Sequence, residues 1–330
     1  MKNVVQVDPK SPQKNVIERA ARVLQEGGLV AFPTETVYGL GAHALDAAAV
    51  RRIFAAKDRP DWDPLIVHVR DVGMARSLAR ELPSAFEGLT QRFWPGPLTL
   101  VVQKMEGVPD EVTARRSTVA LRMPRHPVAS ALLAAVRLPI AAPSANRFGR
   151  PSPTSAKHVV EDLGDRVDLI LDAGPTPMGV ESTVLDLTQT PPAILRPGGI
   201  SREELERVLG RVTLGANISD ELVAQGLAAP GMTTKHYAPR ARIELLEGDV
   251  ETQALLLKKR LAELVALGKK VEVLIHQGDN DSLARTLYAQ FREMDARGAD
   301  VILCPLPSAE GIGLAVRDRL LRAAGKGGHS

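Results

Sequence analysis

Short apolar runs, each ending in a cluster of Ser, Thr, Lys or Arg, alternate with helical stripes along this chain, and that alternation limits it to an α/β sheet protein. Ser11 followed by Pro12 reads as N-cap and first helical residue, and Ile17, Ala20, Ala21 and Leu24 fall on one helical face. Gly27-Gly28 ends that helix and Leu29-Val30-Ala31-Phe32 follows as a buried strand. Asp46 caps a second helix running to Ala56, and Leu65 to Val69 is the next strand. Further strands are expected at 98–103, 118–123, 138–142, 167–172, 182–187 and 193–196, with helices at 71–81, 84–92, 127–136, 154–163 and 201–210. Several connections are too short for a crossover helix, so some neighbouring strands must be antiparallel.

The rhythm stops over 211–241, a stretch without clear period, and resumes as strand 243–247, helix 250–267, strand 271–275, helix 282–297, strand 300–304 and helix 309–324. Strands alternating with helices predict a small parallel sheet. A chain of 330 residues also exceeds one typical domain. The expected division is therefore an α/β domain over 1–210, a linker over 211–241 and a smaller α/β domain over 242–330, with the tail GKGGHS frayed.

Charge narrows the partners. Lys+Arg 42 against Asp+Glu 39 leaves +3, too little for a chain that coats nucleic acid, so anion binding must come from a few placed cations in a cleft. The single cysteine, Cys304, excludes an internal disulfide and a cysteine-rich zinc site. Neither a signal-type apolar segment nor a run long enough to span a membrane occurs, so a cytoplasmic protein without membrane attachment is expected. The phosphate loop GxxxxGK[ST], the dinucleotide fingerprint GxGxxG and the nucleophile elbow GxSxG are all missing.

What remains is a set of polar clusters at strand ends, where α/β sheets bind ligands. Pro33-Thr34-Glu35-Thr36-Val37-Tyr38-Gly39-Leu40-Gly41 reads either as a ligand loop or as a turn whose threonines serve the backbone. Lys57 and Arg59 close the helix begun at Asp46; they suit its dipole, and as loop cations they could equally meet phosphate oxygens, in which case replacing them would leave the fold intact. His68 inside Leu65 to Val69 fits a core histidine or a ligand group, and Arg122 at the end of Val119-Ala120-Leu121 points to solvent or to an anion. Ser144 and Asn146 serve as turn formers or as donors to an anion, and Glu181-Ser182-Thr183 and Arg196-Pro197-Gly198-Gly199 repeat the theme. In the C-terminal part only His276-Gln277-Gly278-Asp279 offers a comparable cluster.

PTETVYGLG, Lys57-x-Arg59, LIVH, WPGPLT, RMP, Ser144-x-Asn146, GVEST and LRPG together resemble the YrdC family of L-threonylcarbamoyladenylate synthases. PGMTTKHYAP at 230–239 and a tail with Gly311-Ile-Gly313 and Arg319 resemble its longer, two-domain form. The resemblance implies a twisted, open mixed sheet with a basic concave face and an added Rossmann-like unit. It implies an ATP-dependent nucleotidyltransferase: L-threonine, bicarbonate (or carbon dioxide) and ATP give threonylcarbamoyl-AMP and pyrophosphate, with Mg²⁺ accompanying ATP and no metal ligand from the protein. A partner transferase would then modify the tRNA adenosine beside the anticodon. By that resemblance Lys57, Arg59, Thr118, Ser144, Asn146, Ser152 and Arg196 go to ATP or AMP, and Thr34, His68, Arg122 and Ser182 to L-threonine. His236 and Tyr237 in the linker would fold over the nucleotide as a lid. The competing readings are a non-catalytic module binding tRNA or double-stranded RNA, and carbamoyl transfer in hydrogenase maturation, whose cysteine-paired zinc motifs this chain lacks.

Overall fold

A computed structural model describes residues 3–215, 236–275 and 278–326. Most of the linker, His276-Gln277 and the last four residues lie outside the described residues. In the first part the elements are β1 (Val4–Gln6), α1 (Lys14–Gln25), β2 (Val30–Pro33), β3 (Tyr38–His43), α2 (Ala47–Lys57), β4 (Ile66–His68), α3 (Val72–Leu78), β5 (Ala79–Glu81), α4 (Ala85–Phe93), β6 (Leu98–Lys104), α5 (Asp110–Thr113) and β7 (Thr118–Arg122). They continue as α6 (Pro127–Val136), β8 (Ile140–Ala141), α7 (Ala156–Asp162), β9 (Leu169–Asp172), β10 (Thr183–Asp186), β11 (Ala193–Arg196), α8 (Arg202–Leu209) and β12 (Thr213–Leu214). Twelve strands form one open mixed sheet in the order β1-β9-β2-β3-β8-β4-β7-β6-β10-β11-β12, with β5 paired to β6.

Period-two alternation sorts each strand between two layers. Along β2, Ala31 joins the core beneath α2, whereas Val30 and Phe32 join α1 and α6 on the opposite face. Along β4 and β7, Val67, Val119 and Leu121 point into the first core, which turns Ile66, His68, Ala120 and Arg122 to the other side. Helices α1 and α6 cover that second face only over β1, β9, β2 and β8. Over β4, β7, β6 and β10 it carries just a small apolar cluster around Ile66, Val101 and Val184, and beside that cluster stand His68, Arg122, Thr99 and Ser182. The half-covered face positions the site.

In the C-terminal part, β13 (Arg242–Leu246), α9 (Val250–Ala266), β14 (Val271–Val273), α10 (Asn280–Ala296), β15 (Val301–Pro305) and α11 (Gly313–Ala323) form a parallel three-stranded sheet, order β13-β15-β14, with its helices, as expected. Its core is not self-contained. Val37 and Val180 of the large sheet's loops pack in the same cluster as Tyr237, Tyr288, Phe291 and Leu320.

Several local expectations change. Helix α1 starts at Lys14 with Gln13 as N-cap and no side-chain cap, because the Ser11-Pro12 turn is held instead by Asp8 accepting from the Lys10 and Ser11 amides. The helix expected over 71–81 ends at Leu78, since Ala79–Glu81 pairs antiparallel with β6. The linker's first residues, Thr213–Leu214, extend the large sheet along β11. Half of the PTETVYGLG segment is strand: β3 returns along β2 through a hairpin, so Gly39 and Gly41 are strand residues rather than loop residues.

Gly41 is where a side chain is least welcome, because a Cβ there would lie 2.8 Å from both Ile140 Cγ2 and Phe32 Cε1. Gly41→Ala is therefore expected to destabilise the fold by roughly 1–3 kcal/mol through overpacking, read as a lower urea midpoint at unchanged slope. An unchanged midpoint would show that Phe32 gives way at no cost.

Candidate active site

The uncovered half-face continues into a cleft of about 490 Å³, its mouth included, lined among others by Thr34, Thr36, Arg59, His68, Arg122, Ser144, Ser182, Arg196, His236 and Tyr237. All four residues expected at L-threonine are there, with Arg59, Ser144 and Arg196 of the nucleotide set and both linker residues.

The end that holds the residues expected at L-threonine is built by the β2–β3 hairpin and by β4 and β7. Thr34 Oγ1 donates to the Val37 carbonyl at 2.7 Å and lies 2.8 Å from Thr36 Oγ1, so the two hydroxyls are aligned by the turn itself. Arg122 Nη2 donates to Thr36 Oγ1 at 3.0 Å and forms an ion pair with Glu35 Oε1 at 2.8 Å. Glu35 Oε2 accepts from the Arg125 amide, which fixes the carboxylate beside the arginine. Parallel pairing of β4 with β7 sets His68 opposite Arg122. The imidazole is buried, its Nδ1 lacks a hydrogen-bond partner, and burial together with the Arg122 charge holds its pKa well below the histidine range. At physiological pH it is neutral. Ser182 Oγ lies 2.8 Å from Thr99 Oγ1 on the adjoining strand.

The other end is cationic. Arg59 Nη2 donates to the Pro64 carbonyl at 2.8 Å and sits 2.9 Å from Asp63 Oδ1. Burial raises the Asp63 carboxyl to about 6, against the lowering pull of Arg59 and Lys57. Arg196 donates to the Ser182 carbonyl at 2.9 Å and to its hydroxyl at 3.2 Å, so the two ends of the cleft share a contact.

Lys57 departs from the expectation of a loop cation. It is the last residue of α2, it is 1% exposed, and its Nζ donates to the Ser144 and Asn146 carbonyls at 2.5 Å each. Burial, then the Arg59 charge, lowers its pKa well below the lysine range. In this arrangement it clasps the Ser144–Asn146 turn from behind, and its removal would cost stability. Asn146 Nδ2 donates to the Arg147 and Arg150 carbonyls, which leaves its buried Oδ1 without a partner. Ser152 is buried behind the cleft wall and donates to Glu181 Oε1 at 2.5 Å. Thr118 begins β7, four residues before Arg122, and does not line the cleft.

The linker residues His236 and Tyr237 line the cationic end. Tyr237 takes a left-handed backbone (φ 61) and stacks on Tyr288, with ring centroids 5.7 Å apart. His236 packs edge-on against Phe148 at 5.4 Å, and Phe148 lies under the Arg59 guanidinium at 6.0 Å. Burial, reinforced by Arg59, keeps His236 uncharged.

Sequence reasoning named Glu35 and Glu181 within polar clusters without giving them a role, and passed over Asp63, although these carboxylates organise the cations. Glu35 and Asp63 sit one and four residues from recognised polar positions. Glu181, directly before Ser182, accepts from Ser152, from Tyr288 and from Arg319 Nε at 2.8 Å. Their signal was burial of acidic residues inside apolar surroundings, which needs the tertiary structure to be seen.

The fold and the cleft define a mixed α/β protein with one polar, cationic cleft on the uncovered part of its sheet. A family model described as "Telomere recombination" matches residues 22–198, and one for the threonylcarbamoyl-AMP synthase C-terminal domain matches residues 200–325. The chain is 47% identical over 320 residues to the threonylcarbamoyl-AMP synthase of Pyrococcus abyssi, covering 94% of each, and 41% identical over 336 residues to that of Bacillus subtilis, covering 96% and 95%. It superposes on the crystal structure of P. abyssi Sua5 complexed with L-threonine with a TM-score of 0.93 at 44% identity, covering 98% of both chains. The chain belongs to the threonylcarbamoyl-AMP synthase family, in the form that carries the added C-terminal domain. A structural match to full-length HypF, at 16% identity and a TM-score of 0.51, reflects the fold alone.

The site's charge balance sets a pH dependence. Burial alone would raise the Glu181 carboxyl, but Arg319 and Arg196 outweigh it and hold it at about 2 against an ordinary 4.5. The fold therefore binds fewer protons there than the unfolded chain, and the stabilisation is complete above about pH 4.5 and lost as pH falls toward 2. The stability difference between the natural chain and Glu181→Gln should be flat above about pH 5 and shrink as pH falls from there toward pH 2 in urea titrations. A constant difference would mean that the carboxylate contributes through hydrogen bonding alone.

Proposed function

We propose that this chain is an L-threonylcarbamoyladenylate synthase, taking L-threonine, bicarbonate and ATP to threonylcarbamoyl-AMP, pyrophosphate and water. The observation that carries the reading is the meeting of Thr34, His68, Arg122 and Ser182 with Arg59, Ser144 and Arg196 in one cleft, an amino-acid-sized polar end joined to a cationic end.

Arg122 is the group for the substrate carboxylate. Its planar fork is engaged by Glu35 and Thr36, so it is already oriented when a second carboxylate arrives. Neutral His68 and the Thr34 and Ser182 hydroxyls can accept from or donate to the amine and the side-chain hydroxyl. The amine nitrogen attacks the carbon of carbon dioxide, whose C=O π pair moves to oxygen, and loses a proton, giving a carbamate; from bicarbonate the same N–C bond forms as a C–O bond breaks and the hydroxyl leaves as water. A carbamate oxygen then attacks the α-phosphorus as the bond to pyrophosphate breaks. No enzyme nucleophile is needed; the chain supplies position and positive charge. Arg59 and Arg196 face the phosphates, and the peptide turn at Ser144–Asn146, clasped by Lys57, borders the nucleotide. Mg²⁺ would arrive with ATP on phosphate oxygens: among the described residues no group of three or more His, Cys, Asp or Glu is placed to hold a metal.

The stretch 211–241 acts as linker and lid between a catalytic unit and a C-terminal unit, with His236 and Tyr237 excluding water from a labile mixed anhydride. The product is consumed by a partner transferase acting on tRNA. The test is pyrophosphate release that requires L-threonine and bicarbonate together, with threonylcarbamoyl-AMP detected by mass. Release independent of either, or salt-sensitive tRNA binding without release, overturns the reading. Since serine differs from threonine by one methyl, its kcat/KM should be lower by about 10- to 200-fold, and equal turnover of the two would mean that no pocket wall reads the methyl group.

A further inference from the structure

The C-terminal unit sends one fully buried cation into the wall of the cleft. Arg319, on α11, is 0% exposed. Its Nε donates to Glu181 Oε2 at 2.8 Å, its Nη2 to the Pro197 carbonyl at 2.9 Å, and its Nη1 to Asp318. The guanidinium carbon lies 4.9 Å from the centre of the Tyr237 ring. Tyr288, on α10, reaches the same carboxylate: its hydroxyl is 3.0 and 3.2 Å from the two Glu181 oxygens. Both Arg319 contacts fall next to cleft residues, since Glu181 precedes Ser182 and Pro197 follows Arg196. The two loops lie back to back without slack, for a Cβ on Gly198 would come 2.3 Å from the Ser182 carbonyl carbon.

We propose that Arg319 is a positioning residue for the nucleotide half of the site, holding Glu181 and the 196–198 loop so that Arg196 is presented to phosphate. The inference rests on the synthase reading above. Its physical basis is competition for one buried carboxylate. Arg319 and Arg196 are the two arginines acting on Glu181, and a buried carboxylate deprived of one cation draws on the other. Without Arg319, Arg196 turns toward Glu181 and away from ATP, and Ser152, which donates to Glu181, shifts with it. The threonine end is insulated, because Ser182 Oγ is also held by Thr99 and Arg122 is held by Glu35 and Thr36. The C-terminal unit thereby becomes part of the nucleotide site through a side chain that never touches the nucleotide.

Calorimetric titration of MgATP in the presence of L-threonine, and of L-threonine alone, separates this from a merely structural role. Arg319→Lys keeps the charge and loses the fork; it should weaken ATP binding at least tenfold and change L-threonine binding less than threefold. Tyr288→Phe should act in the same direction with smaller size. If Arg319→Lys fails to fold, Tyr288→Phe carries the test, since it keeps every charge and removes only one hydrogen bond to Glu181. Natural ATP affinity in either folded variant, or equal losses for both ligands, overturns the proposal. A natural chain that binds both ligands but releases no pyrophosphate overturns the synthase reading instead, while the binding comparison still decides the role of Arg319.

Discussion

Three arginines must stay charged, buried and apart inside one cleft, and much of the surrounding architecture answers that demand. Arg59, Arg122 and Arg196 are each less than a tenth exposed. Burying a guanidinium without partners would cost several kcal/mol, so each is given fixed acceptors: Asp63 and a carbonyl for Arg59, Glu35 and Thr36 for Arg122, the Ser182 carbonyl and hydroxyl for Arg196. These acceptors do more than compensate. They orient the forks before substrate arrives, so the reorganisation that water would require is already made, which is where electrostatic catalysis gains most. A chain with a net charge of only +3 can bind a triphosphate because its cations are placed rather than numerous.

The strands were legible because their apolar runs are bounded by glycines and polar clusters, and α6 and β11 occupy the expected residues, 127–136 and 193–196. That Thr34, His68, Arg122 and Ser182 would meet in one cleft was legible from polar groups ending apolar strands of an α/β sheet, whereas their assignment to L-threonine came only from the family resemblance. What the sequence concealed has two physical sources. Gly39 and Gly41 looked like loop glycines because glycine is usually read as backbone freedom, whereas Gly41 is needed for packing under Phe32 and Ile140. Lys57 looked like a solvated helix-end cation because local charge logic is blind to a loop 87 residues away that caps it with carbonyls. Ion pairs such as Glu181 with Arg319, separated by 138 residues, leave no local pattern at all.

The placement of Tyr237 joins the two parts of the chain more tightly than a linker residue would. Its ring lies between the Arg319 guanidinium and the Tyr288 ring, and both of those groups also hold Glu181. Tyr237, Glu181 and the C-terminal helix therefore belong to one buried cluster, so a change at any one of them is felt by the other two.

That coupling suits the chemistry of the product. A carbamoyl-adenylate is a mixed anhydride, and its survival depends on water being excluded. A lid that rested only on the nucleotide would loosen once pyrophosphate and its charge departed. Here Tyr237 is held from behind by the C-terminal unit, through Arg319 and Tyr288. If Tyr237 acts as the proposed lid residue, that backing would keep water out independently of the phosphates. On this view the smaller domain serves retention of the intermediate as much as its synthesis, which gives a physical reason for a buried arginine, two stacked tyrosines and a shared apolar core at a junction where a flexible tether would have sufficed to join two domains.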